Sequence, residues 1–192
     1  MKKLLLILLV LISATTFSQQ TVAILPFAFT DNGNPSAQMG KEAQQYLINY
    51  MVKKQKHFRV TPLNARTVNV ALHKAGITPE TFDDYTIQEI SDVVKADYIL
   101  IGSIDKTQEG SSTTSGGFDS KNKSNDGKNT TTYGSSTTST AAKYHATVYI
   151  SIFKKDGTPV FDKNKGNVFI DDTTDSWKNS IIWLVRHFPF YN

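Results

Sequence analysis

The nine residues "TVAILPFAF" (21–29) decide how the rest of the chain is read. They are apolar almost without a break, the pattern of a strand buried on both faces. The remainder of the chain must therefore supply elements that cover it. "TDNGNPS" (30–36) is a turn, with Asn34 expected as a helix cap and Pro35 at the first helical position. From Ser36 to Lys56, Met39, Ala43, Tyr46, Leu47, Tyr50 and Met51 recur at helical spacing and form one apolar stripe. The "KKQK" at 53–56 closes this helix, where cations suit the helix dipole.

"HFRVTPL" (57–63) reads as a short strand, and "NARTVNVALHKAG" (64–76) as a second helix. That helix groups Ala65, Val68, Leu72 and Ala75 and stops at Gly76. Thr78-Pro79 starts one helical turn. Thr86 to Glu89 spells a capping box for a helix carrying Ile87, Ile90, Val93 and Val94. "ADYILIGSIDK" (96–106) is the next strand, and its Gly102 implies a close backbone approach or a bulge.

"KYHATVYISIFKK" (143–155) alternates, with Tyr144, Ala146, Val148, Ile150 and Ile152 on one face of a half-buried strand. "KDG" turns it into "TPVFDKNKGNVFI" (158–170), a hairpin partner. Trp177, Ile181, Leu184, Val185 and Phe188 line a last helix, ended by Pro189. The expected order is β-α-β-α-α-β-β-β-α. This is an α/β (α+β) single domain with a mixed sheet of about five strands and helices packed mainly on one face.

The N-terminus has the form of a secretory leader. Met1-Lys2-Lys3 is a positive end, and "LLLILLVLI" (4–12) is an apolar run too short to span a bilayer. The cut is placed after Ser18, with one near Ala14 as the other site. Residues 1–18 are then a cleaved signal peptide and 19–192 the domain. Without Lys2 and Lys3, 19 basic residues stand against 17 acidic ones, so the domain is nearly balanced in charge. No basic stripe points to nucleic acid, and no transmembrane segment is expected after cleavage. With no cysteine there is no disulfide, no thiolate metal site and no lipidated residue to anchor the chain. Stability must come from the core, which 39% hydrophobic residues can build.

One stretch departs from this economy. From Thr107 to Thr140, 17 of 34 residues are Ser or Thr, and Phe118 and Tyr133 are the only large apolar ones. A lipid-facing hairpin strand needs about ten residues alternating apolar with polar, which two aromatics cannot supply. The composition predicts a flexible Ser/Thr-rich insertion at 107–142. It is either a tolerated insertion or an arm that orders on a partner, with Phe118 and Tyr133 as possible loop anchors.

Catalytic patterns are absent. The chain has no GxGxxG, GxxxxGK, GxSxG or HExxH. Ser151 to Lys154 spells SxxK, but in a strand, where the two side chains point apart. His57, His73, His145 and His187 fall in separate elements with no paired ligand spacing. Asp171, Asp172 and Asp175 precede the last helix, where capping and the dipole account for them, a weak divalent-cation site being the alternative. No catalytic, cofactor or metal residue is assigned, and no enzyme activity is expected. Ile182 and Trp183, which fall outside the last helix's stripe, and Phe190 and Tyr191 from "FPFYN" are either covered by a second layer or the sheet edge or, if exposed, form an interaction surface.

"VAILPF" at 22–27, "MGKEAQQYL" at 39–47, "FRVTPLNAR" at 58–66 and "KADYILIGSI" at 95–104 together resemble the CsgG-like and TolB N-terminal-like superfamily, which includes LpoB-type envelope proteins. The likeness runs from Val22 to about Phe188. It implies a periplasmic, non-enzymatic module that docks an envelope protein or self-associates, held at the outer membrane through a partner. Two features depart from that group: no lipidated cysteine, and a single domain without a propeller. The leading expectation is an accessory or regulator of an envelope assembly or transport machine. The alternative is a self-assembling ring or scaffold subunit without transmembrane hairpins.

Overall fold

A computed structural model describes residues 20–116, 137–170 and 176–192. The apolar run at 21–29 is not one strand but two, β1 (Thr21–Ile24) and β2 (Ala28–Asp31), separated by Leu25, Pro26 and Phe27. Both lie parallel along the same edge of β5 (Tyr98–Gly116), Ile24 opposite Leu100 and Ala28 opposite Ser103. Four residues on one side advance as far as three on the other, so the chain bulges between the two pairings. Proline cannot donate to a ladder, and here it stands in the bulge.

Gly102 sits opposite that bulge. The Phe27 ring fills the space its side chain would take, the close approach expected of this glycine. Gly40 does the same on the helix side: a Cβ there would overlap the carbonyl of Phe27, whose amide donates to Gly40 O at 3.2 Å.

Outside β1 and β2 lie two two-residue strands, β3 (Asn34–Pro35) against β2 and β4 (Thr61–Pro62) against β1. On the other side β5 pairs antiparallel with β6 (Thr137–Lys154), and β6 with β7 (Pro159–Ile170). Seven strands thus make five lanes of a mixed sheet, since β1 and β2 share one lane and β3 and β4 another. Asn34 and Pro35 belong to a strand, not to a helix start. The cap of α1 (Ala37–Lys53) is Ser36, whose Oγ accepts from Met39 N at 3.4 Å.

The helices divide between the two faces of the sheet more evenly than expected. Alternate residues of β1 feed two cores. Val22 and Ile24 join Leu47 and Met51 of α1 and Ile181 and Leu184 of α4 (Ser176–Val185). Ala23 and Leu25 join Val68 and Leu72 of α2 (Ala65–Lys74) and Ile90 and Val94 of α3 (Ile87–Val94). Helix order along the chain carries no mark of the face each helix will take. A strand apolar on both sides does, because each side needs a cover.

Local signals are realised closely. Asn64 caps α2 by accepting from Arg66 N at 2.8 Å. The Thr86–Glu89 capping box opens α3, with Thr86 N donating to Glu89 Oε2 at 2.8 Å and Glu89 N to Thr86 Oγ1 at 3.2 Å. Pro79–Asp84 is a 3-10 turn. Gln44 is buried and fully engaged: its Nε2 donates to Ile24 O at 2.7 Å and to Asn69 Oδ1 at 2.9 Å, and Asn69 Nδ2 donates back at 3.0 Å. This amide pair ties α1 to α2.

The Ser/Thr tract begins and ends as strand. The β5–β6 ladder continues from Thr107 opposite His145 to Gly116 opposite Thr137, with one irregularity between Gln108 and Gly110. The expected loop over 107–142 is therefore narrowed at both ends, because a two-residue register imposed by the buried half of the strands carries outward. Among the described residues β7 ends at Ile170, opposite Lys143, and beyond that pair β5 and β6 pair only with each other. Phe118 and Tyr133 lie outside the described residues.

Candidate interaction surface

The last helix positions the residues singled out in the sequence. Its stripe is buried as expected: Trp177, Ile181, Leu184, Val185 and Phe188 are all nearly inaccessible. Trp177 packs edge-on against Phe29 and Tyr46, with centroids at 6.2 and 5.8 Å. Among the described residues its indole nitrogen finds no partner, so the packing here rests on shape. Burying this stripe turns the opposite flank outward. Ile182 is half-buried there, and Trp183 is 41% exposed.

Trp183 is not loose. The His187 ring lies 4.1 Å from its own ring, and His187 Nδ1 donates to the Trp183 carbonyl at 2.7 Å. From the neighbouring strand, Lys165 sets its ammonium 5.2 Å from the indole centroid, within cation–π range. An exposed aromatic ring held in place by a neighbouring imidazole and ammonium is a preorganised contact.

Phe190 and Tyr191 do not join this surface. Pro189 turns the chain back, and Phe190 inserts between Phe188 and Tyr98, with centroids at 5.5 and 5.7 Å, where it is buried. Tyr191 stacks on His57 and meets Phe58 edge-on at 5.2 Å, and the same residue forms a β-bridge to Phe58. Arg59 N donates to Phe190 O at 3.0 Å and Asn192 N to His57 O at 2.8 Å. The segment after Pro189 is thus a clasp on the turn at the end of α1. The expectation of Phe190 as a surface residue is corrected: backbone pairing at 57–59 draws it inward, and no periodicity in five residues signals that.

A second concavity has only a faint signal in the sequence. Strands β5 and β6 turn Ile101, Ser103, Tyr149, Ser151 and Phe153 toward the face that α2 and α3 only partly cover. With Phe82 and Tyr85 these line an open groove of about 440 Å³. The signal is the pair of aromatics, Tyr149 and Phe153, on the wet side of an alternating strand. The groove shows no catalytic arrangement. Ser151 Oγ donates to Asp162 at 2.8 Å and has no lysine beside it in helical register.

Among the described residues no three His, Asp or Glu side chains gather closely enough for a metal ion. Asp171, Asp172 and Asp175 lie outside the described residues. Among the described residues, no helix is long and apolar enough to cross a membrane.

No protein-family profile matches the chain, and no curated protein matches it. Several solved structures are similar to it. The LpoB C-terminal domain from Salmonella enterica is 11% identical, with 82% of this chain and 89% of that one covered and a TM-score of 0.43. Lipoprotein GNA1162 from Neisseria meningitidis is 8% identical, with 88% and 94% covered and a TM-score of 0.48. The hypothetical protein CT253 from Chlamydia trachomatis is 9% identical, with 88% and 95% covered and a TM-score of 0.44.

Proposed function

We propose that this chain is a secreted, periplasmic, non-enzymatic interaction module that serves an envelope assembly or transport machine as an accessory or regulator. The leader-like N-terminus supports export. The stretches that resemble the CsgG-like and TolB N-terminal-like group support the envelope setting. The observation that carries the reading is Trp183: a large ring exposed on an otherwise well-buried helix and braced by His187 and Lys165. Truncating such anchors commonly costs a complex about 2 kcal/mol or more.

The test is a pull-down from bacterial envelope extracts with the exported full-length chain and with its Trp183→Ala variant. Specific partners retained by the first and lost by the second support the reading. Equal retention, or no partner at all, sinks it.

A second reading, the self-assembling subunit, is favoured by the paired ends of β5 and β6. Beyond Lys143 they meet no third strand among the described residues. Light scattering after size exclusion separates the two: a monomer excludes this reading, and a ring-sized mass supports it.

A further inference from the structure

The outer lane of the sheet lies directly beside Trp183. β7 pairs with β6 on one side, and among the described residues no strand pairs with its other side. A free edge of twelve residues offers a row of backbone donors and acceptors to any extended chain. Its side chains alternate. Phe161, Lys163 and Lys165 face the helix side, opposite Ile152, Ile150 and Val148.

Both lysines are exposed, and both lean on rings: Lys163 Nζ lies 5.8 Å from the Phe161 centroid, Lys165 Nζ 5.2 Å from that of Trp183. Arg186, also exposed just past the end of α4, extends this basic surface. The acidic groups described nearby face elsewhere. Asp162 is on the opposite side of β7 with Ser151, and Glu42 is paired with Lys178 at 3.5 Å. Asp171, Asp172 and Asp175 lie outside the described residues.

We propose that the edge of β7 and Trp183 form one docking site, and that its occupant is an extended acidic segment of a partner protein, which adds to the sheet as a sixth lane. The free edge supplies the main-chain ladder. Lys163 and Lys165 select carboxylates at every second position, and Trp183 takes an apolar side chain from the same segment. Lysines on an edge strand also discourage unwanted pairing. Here, though, they are drawn over aromatic rings at the flank, which leaves the backbone row open. An anionic membrane is a poorer occupant, since one exposed indole and the half-buried Ile182 offer little apolar area to insert.

The proposal rests on the chain being an interaction module, and it fails separately from that reading. Envelope partners lost on Trp183→Ala leave the module standing even if no strand adds to β7.

The experiment measures polarisation of a fluorescein-labelled decapeptide alternating Glu and Val, titrated with the full chain. Three other probes run beside it: a Lys–Val decapeptide, a Glu–Val decapeptide N-methylated at every residue so that neither edge can donate, and phosphatidylglycerol vesicles. The expected result is binding of the Glu–Val peptide alone, weakened about tenfold or more in Lys163→Glu/Lys165→Glu. Circular dichroism of that variant must match the parent, and the single variant Lys165→Gln serves if it does not.

The Trp177→Phe variant leaves Trp183 as the only tryptophan, and its emission should shift as the peptide binds. Equal binding of the N-methylated peptide overturns strand addition, and equal binding of the Lys–Val peptide overturns the acidic preference. Binding to vesicles alone, or to no probe, overturns the proposal.

Discussion

The ring of Phe27 occupies the space that a side chain at residue 102 would need, so the bulge in the first sheet lane and the glycine in the next are one feature. Gly102→Ala forces the ring out of a core in which Phe27 is 1% exposed. Overpacking of this kind typically costs about 1–3 kcal/mol. Urea denaturation should show a loss in that range, and the pair Phe27→Leu/Gly102→Ala should lose less than the sum of the two single changes. Strict additivity would show that the two residues do not compete for the same space.

Gln44 and Asn69 make a second coupled pair. Gln44→Leu keeps the volume but leaves Asn69 and the Ile24 carbonyl without their amide partner. Stranding buried polar groups costs about 1–3 kcal/mol. The expected outcome is a lower denaturation midpoint, with hydrogen exchange quickening first in α2.

The capping box gives a pH dependence with a definite sign. Backbone and side-chain hydrogen bonds from Thr86 hold the Glu89 carboxyl below its ordinary value of 4.5. A group whose pKa is depressed on folding contributes stability that is complete above its unfolded value and is lost as pH falls through the folded one. The stability difference between the parent and Glu89→Gln should therefore be constant above about pH 5 and shrink below it. Thr86→Ala removes the hydroxyl but keeps the backbone N–H that donates to Glu89, so it should weaken that pH dependence without abolishing it. A difference that grows on acidification would contradict the hydrogen-bond assignment.

The two tryptophans should separate stability from recognition. Trp177→Ala opens a cavity between Phe29 and Tyr46 and should cost about 3–5 kcal/mol, whereas Trp177→Phe should cost far less, because it keeps an aromatic ring there and the lost indole N–H has no partner among the described residues. Trp183→Ala, on an exposed flank, should change stability by less than about 1 kcal/mol while removing partner capture. Thermal unfolding and the envelope pull-down on the same preparations test both halves.

Local chemistry was legible wherever one residue and its near neighbours settle the outcome. Asn64, the Thr86–Glu89 box, the turn at Gly157 and the stripe from Trp177 to Phe188 all arise from short-range rules, and the structure keeps them. So does Trp183, because a residue outside a buried stripe has only solvent to face.

Features beyond the reach of short-range rules depended on distant partners. Pro26 breaks the first strand, but that its halves share one lane is fixed by Leu100 and Ser103, more than seventy residues away. Phe190 reads as a surface aromatic until residues 57–59 pair with the chain beside it. The Ser/Thr tract reads as loop from composition, yet its ends are strand because the register of Ile99 to Ile104 is carried outward along β5 and β6. The sequence by itself determined which elements form and which of their residues seek the core. Only the tertiary structure decided which face each helix covers and which edge stays free, because those outcomes depend on contacts between segments that no local pattern encodes.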